Sequence, residues 1–232
     1  AKPDGQTLGM GVNMPILVNL VLRGDKLPFN LESFDYLATV ARAQVAIIAK
    51  SDAPFDDLQG LIEYSKSNNG ALVAFDAKPQ ELLMKYVDGE AEAGFKLVST
   101  KSSAEAIQNL LGDHVDASFA AGAHIPYIES GDLKMIASAN ASRHGYAPDT
   151  QTVVEQGYEI YVDPYFFIAA PAGLPADTKA ALAEALHNAI NSEAARKAIV
   201  NALKTDPSDL GPDGTQNMLV EGVGNVKKLF GK

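Results

Sequence analysis

Ser99-Thr100-Lys101-Ser102-Ser103 gathers four hydroxyls and one ammonium into five residues, just ahead of an amphipathic stretch that reads as a helix. Hydroxyls, unpaired backbone N–H groups and the positive end of a helix macrodipole receive a carboxylate without needing a dedicated cation. Lys101 adds a charge to that set. The plainer alternative is an N-cap with a solvated lysine. Three more loops follow apolar runs in equivalent positions: Gly11-Val12-Asn13-Met14, Phe75-Asp76-Ala77-Lys78 and Ala120-Ala121-Gly122-Ala123, the last with His124 behind it. From these the candidate ligand contacts are Asn13, Asp76, Ala77, Lys78, Ser99, Thr100, Lys101, Ser102, Ser103, Ala121, Gly122 and His124.

The chemistry they suggest is capture and not turnover. No Gly-x-Ser-x-Gly elbow occurs, and no glycine-rich loop ends in Gly-Lys-Ser/Thr; Gly222-Val223-Gly224 lies inside a helical pattern. His114, His124, His144 and His187 stand singly, without the paired spacing of a zinc site, so no metal or other cofactor is expected. Asp56 and Asp57 are adjacent on a helix start, where they point apart and suit the macrodipole better than general acid–base work. Asn140-Ala141-Ser142 is a formal glycosylation triplet, read as unused. Cysteine is absent, which removes disulfides and thiolate chemistry. A formal net charge of −10 argues against nucleic acid, whose phosphates need clustered Lys and Arg.

The elements that must position these loops alternate. Strand patterns at Thr7–Val12, Tyr36–Ala49, Ala71–Phe75, Phe95–Ser99, Asp116–Ala120, Leu133–Ala139 and Tyr165–Ala170 are separated by amphipathic helices. That rhythm predicts an α/β protein with parallel-rich sheets, right-handed crossovers and ligands beyond the carboxyl ends of the strands. Two stretches lack a helix where one is due, residues 36–50 and 159–171, and read as crossings between lobes. One lobe is then continuous, residues 44–164, and the other is assembled from residues 1–43 and 165–232. The tail supplies helices over 176–191, 193–203 and 215–230, and no run approaches the ~18 apolar residues of a membrane span.

Residue by residue, the chain also resembles a known family. Pro3-Asp4-Gly5-Gln6-Thr7-Leu8 followed by Gly9-Met10-Gly11 opens the match, and Ser51-Asp52-Ala53-Pro54 with Leu61 to Lys66 continues it. Ala106 to Asp116, Ile128 to Lys134 and Ala170-Pro171-Ala172-Gly173-Leu174-Pro175 complete it in order. Together these resemble the substrate-binding proteins of tripartite tricarboxylate transporters, the Bug-type receptors.

The resemblance implies a two-lobe periplasmic-binding-protein-like (type II) fold that holds a small organic carboxylate between its lobes and hands it to membrane permease subunits. It also implies an exported, periplasmic monomer whose export signal is not in this chain, and a family N-terminal set of βα units upstream of the Pro-Asp-Gly turn. Tyr165 falls where relatives carry a wall aromatic, and joins the candidate contacts. Ala120 replaces an aspartate used by some relatives for a ligand amino group, and the Phe75–Lys78 loop lacks the family's histidine. The alternatives are a small α/β enzyme acting on an organic acid, with Lys101, His124 or Asp76 catalytic, and a sensor that presents its ligand to a membrane receptor.

Overall fold

The computed structural model describes residues 1–231, and its elements run, in chain order, β1 (Gly9–Val12), α1 (Asn13–Arg23), β2 (Phe34–Arg42), β3 (Val45–Lys50), α2 (Leu58–Ser67), β4 (Leu72–Phe75), α3 (Lys78–Ala91), β5 (Lys96–Ser99), α4 (Ser103–Leu111), β6 (Ala117–Ala121), α5 (Ile125–Ser130), β7 (Leu133–Ser138), β8 (Tyr165–Pro171), α6 (Ala176–Ile190), α7 (Glu193–Leu203) and α8 (Gly211–Leu229). They form two compact units. The first comprises Ala1–Ala43 and Pro164–Lys227, the second Gln44–Asp163 with the residues from Lys228 onward.

The second unit carries a five-stranded sheet ordered β5-β4-β6-β3-β7. β4 runs parallel to β5 and β6, whereas β3 is antiparallel to both β6 and β7. Four strands therefore point one way, as crossovers through α3, α4 and α5 require, and β3 alone points back. β3 reads Val45-Ala46-Ile47-Ile48-Ala49-Lys50 without alternation because both of its faces are covered; only Lys50 escapes full burial. Leu61 and Ile62 of α2, Leu83 and Met84 of α3 and Ile107 and Leu110 of α4 are almost completely buried. Each helix keeps its apolar residues on one stripe, which is what lets it cover a sheet.

The first unit differs from the parallel expectation. Its three strands are ordered β1-β8-β2, and β8 is antiparallel to both neighbours. The reason is local: Ala43 donates its N–H to the Pro164 carbonyl at 2.8 Å, so β8 begins where β2 ends and runs back along it. The expected Tyr36–Ala49 strand breaks at Ala43–Gln44 into β2 and β3, and the expected Thr7 start moves to Gly9. Gly222 has a packing role in this unit: a Cβ there would stand 2.6 Å from Leu17 Cδ1, so the missing side chain is what lets α8 lie against α1.

Candidate functional site

Parallel strands place their carboxyl ends on one edge, and in the second unit this edge collects most of the candidate residues. The ends of β4 and β5 are paired, Phe75 with Ser99, and the Thr100 N–H continues the ladder onto the Phe75 carbonyl at 2.8 Å. The loops that follow touch through Ser103, whose hydroxyl donates to Asp76 Oδ2 at 3.0 Å. Because β3 is antiparallel, its first residue, Val45, lies at the same edge, opposite Ala121 at the end of β6.

Much of the hydrogen-bonding capacity here is already engaged. Ser102 is the N-cap of α4 and accepts from the Glu105 N–H at 3.2 Å, while Glu105 Oε2 accepts from the Lys101 N–H at 2.8 Å; the two form a reciprocal cap. The Thr100 hydroxyl turns back to the Phe75 carbonyl at 3.1 Å. In the neighbouring loop the Asp76 and Ala77 N–H groups, the obvious carboxylate donors, are both taken by Gln80 Oε1 at 2.9 and 3.2 Å. Gln80 is buried and was not among the expected site residues, although its spacing from Ala77 is the signal that a capping side chain reaches back.

Lys78 is bound to Glu81 at 2.7 Å, and Lys85 meets the same carboxylate at 2.5 Å, so those lysines hold the Glu81 carboxyl below its ordinary range. Lys101 is exposed and enters no ion pair among the described residues, which leaves it as this edge's available cation. Ser99 is exposed at the end of β5, and Ala121 and Gly122 leave β6 in a turn that needs a positive φ of 93° at Gly122.

His124, behind that turn, opens a buried chain of side chains. Its Nε2 lies 2.5 Å from the Tyr146 hydroxyl, which lies 2.8 Å from His144 Nδ1. His144 Nε2 is 2.6 Å from Asn140 Oδ1, and Asn140 Nδ2 donates to the Val162 carbonyl at 2.9 Å and to Asp163 Oδ1 at 2.7 Å. Asn140 Oδ1 also receives the Val45 N–H at 2.9 Å. Burial lowers the His124 pKa to about 4 and pushes the Tyr146 phenol well above its ordinary value, so both are neutral near pH 7. His124 Nδ1 is buried and has no hydrogen-bond partner among the described residues. Tyr146, His144 and Asn140 were missed as site residues; nothing in their local spacing announces a network assembled from a strand end and a loop. Full burial also removes Asn140 as a glycan acceptor.

The first unit holds the other two candidates. Asn13 begins α1, is buried, and accepts the Tyr165 N–H on Oδ1 at 2.9 Å while its Nδ2 lies 3.2 Å from Met218 Sδ. Asn13 thus joins α1 to the first residue of β8. The same unit has a cavity of about 360 Å³ lined by Leu8, Met10, Ile16, Phe34, Tyr36 and Phe167 among others. Its lining is apolar, and Tyr36 sends its hydroxyl to the Leu31 carbonyl at 2.8 Å, so it offers a carboxylate little to bind. Among the described residues no cluster of His, Asp or Glu forms a metal site, and no helix is long and apolar enough to cross a membrane.

Comparison with known proteins gives consistent results. A family described as the tripartite tricarboxylate transporter family receptor matches residues 1–225. A protein of Cupriavidus necator called "UPF0065 protein in gbd 5'region" is 26% identical over 197 residues, which cover 81% of this chain but 56% of that protein. The chain thus spans little more than half the length of that curated relative. Among solved structures, a TctC solute-binding protein from Polaromonas superposes with a TM-score of 0.87 at 18% identity, covering 100% of this chain and 80% of that one. MatC from Rhodopseudomonas palustris with bound malate superposes with a TM-score of 0.70 at 20% identity, covering 99% of this chain and 80% of that one. The shared fold is α/β, a mixed sheet flanked by helices.

Proposed function

Because the chain belongs to the tripartite tricarboxylate transporter receptor family, a family of solute-binding receptors and not of enzymes, we propose that it captures a small organic carboxylate in the periplasm and delivers it to membrane permease subunits. The observation that carries this reading is the convergence of the 75–78, 99–103 and 121–124 loops on one carboxyl edge, with Lys101 uncommitted and two helices, α3 and α4, starting there. Ligands of α/β sheets gather at such edges, and N-terminal helix amides favour anions. The bound malate in MatC is the kind of guest the reading calls for.

The energetics are modest. Micromolar binding corresponds to about −8 kcal/mol, within reach of a few charge-assisted hydrogen bonds and exclusion of water. The proposal includes the two-lobe division read from the sequence, with the crossings near 36–50 and 159–171 as hinge strands. A thermal-shift screen over mono-, di- and tricarboxylates, aromatic acids and amino acids tests it. At least one organic acid should raise the melting temperature and be recovered unchanged; a chemically altered acid, or no response to any acid, counts against the reading.

A further inference from the structure

The buried side-chain chain running from His124 to Asn140 has only one consistent assignment of protons. Asn140 is oriented by backbone groups whose roles are not in question: Oδ1 must be the atom that accepts the Val45 N–H, and Nδ2 the atom that donates to the Val162 carbonyl. An amide oxygen only accepts, so the 2.6 Å contact requires His144 to carry its proton on Nε2. Neutral His144 then has a bare Nδ1, and the Tyr146 hydroxyl must spend its proton there. The Tyr146 oxygen is left to accept, so His124 must donate from Nε2. The last atom of the series, His124 Nδ1, is therefore a lone pair, and it is the buried atom that has no partner among the described residues.

We propose that His124 Nδ1 is a neutral acceptor subsite that reads a hydrogen-bond donor on the guest, a hydroxyl or an N–H, and does not contact its carboxylate. This deepens the solute-binding reading and rests on it. A bare lone pair repels a carboxylate oxygen, and a buried imidazole that resists protonation does not become the cation that would attract one. A buried acceptor left unmatched is costly, so a guest that supplies the donor is favoured over an otherwise identical one that lacks it. The position of His124 suits this role, since it follows Gly122 at the carboxyl end of β6, on the edge where the other candidate loops end. Tyr146, His144 and Asn140 are positioning residues, because they act on the guest only by fixing which nitrogen of His124 stays bare.

The test uses the full chain and guests matched in size and charge: malate against succinate, lactate against propionate, and citrate against tricarballylate, with aspartate as the N–H counterpart of malate. Calorimetric titration should show the hydroxylated member of whichever pair binds held about tenfold more tightly, the ratio expected when one buried hydrogen bond is gained. His124→Gln retains an N–H directed toward Tyr146 and removes the Nδ1 acceptor, so the preference should fall to about unity while the plain acid binds as before. In wild-type protein, nitrogen NMR should show His124 bare at Nδ1, and that resonance should move on adding the hydroxy acid and stay put with the plain one. This spectrum decides the matter even if the variant fails to fold. Equal affinities within every pair that binds, or an Nδ1 signal indifferent to a bound hydroxy acid, overturn the subsite and leave carboxylate capture standing. Tighter aspartate than malate assigns the donor to an amino group instead. If no acid binds, capture and subsite fall together.

Discussion

At the scale of single residues, Asn140 illustrates how a role can be invisible in sequence and plain in coordinates. Read in order, Asn140-Ala141-Ser142 is a glycosylation triplet; folded, the Asn140 amide ties Val45 to Val162 and anchors His144. Asn140→Ala strands a backbone donor, a backbone acceptor and an imidazole N–H in a buried place, each worth ~1–3 kcal/mol. Urea unfolding should record a loss of about 3 kcal/mol or more, and a loss under about 1 kcal/mol would show that water replaces the amide.

His124 makes a separate prediction about pH. Its folded pKa of about 4 lies below the ordinary 6.5, so between these values the unfolded chain holds a proton that the folded one refuses. Stability should then decline as pH falls from 6.5 to 4, by at most about 3 kcal/mol, and this contribution should level off at lower pH. Carboxylates such as Glu81, held low by their lysines, weaken the fold only further down. Melting curves of wild type and His124→Gln recorded from pH 7 to pH 4.5 separate the two effects. The variant should lose less over that range, and parallel curves would contradict the assignment.

At the scale of elements, helix boundaries and strand identity were legible because caps and periodicity are local. Asp57 is the N-cap of α2 and accepts the Gly60 N–H at 2.7 Å, while Asp56 turns to Lys134 at 2.7 Å, in keeping with the sequence reading of that pair as helix-start residues. Strand direction in the first unit was not legible, since it depends on Ala43 meeting Pro164 across more than a hundred residues of chain. The site loops were found by position, but their internal partners were not: Gln80 and Glu105 fill donors that a positional argument leaves open.

Two substitutions test the elements. Ser102→Ala should cost α4 ~1 kcal/mol through loss of its cap, read as a small drop in urea midpoint. Gly222→Ala would gain ~1 kcal/mol if α8 were a free helix. The 2.6 Å approach of Leu17 reverses that sign, and a net loss of about 1–3 kcal/mol is expected for overpacking. A more stable Gly222→Ala protein would mean that Leu17 yields without strain.

At the scale of the whole molecule, the chain offers two very different concavities, and only one belongs to the proposed function. The first unit's cavity is the apolar surface under Met10 and Phe34, whereas the polar candidates in the second unit are distributed over three loops. A search for enclosed apolar volume leads to the wrong place, because an anion-binding edge is made of amides, hydroxyls and a lysine and need not be deeply concave in the absence of its guest. Hydrogen exchange separates them. A guest held at one hundred times its dissociation constant contributes ~2.7 kcal/mol to stability. For a chain of this size that raises the melting temperature by roughly 5–11 °C. Added protection should concentrate in the amides of residues 75–78, 99–103 and 121–124, and the loops around Leu8 and Phe34 should change no more than global stabilisation requires. Protection centred on Leu8 to Gly11 and on Phe167 to Pro171 would move the guest to the apolar cavity, and the carboxyl edge would then be structural.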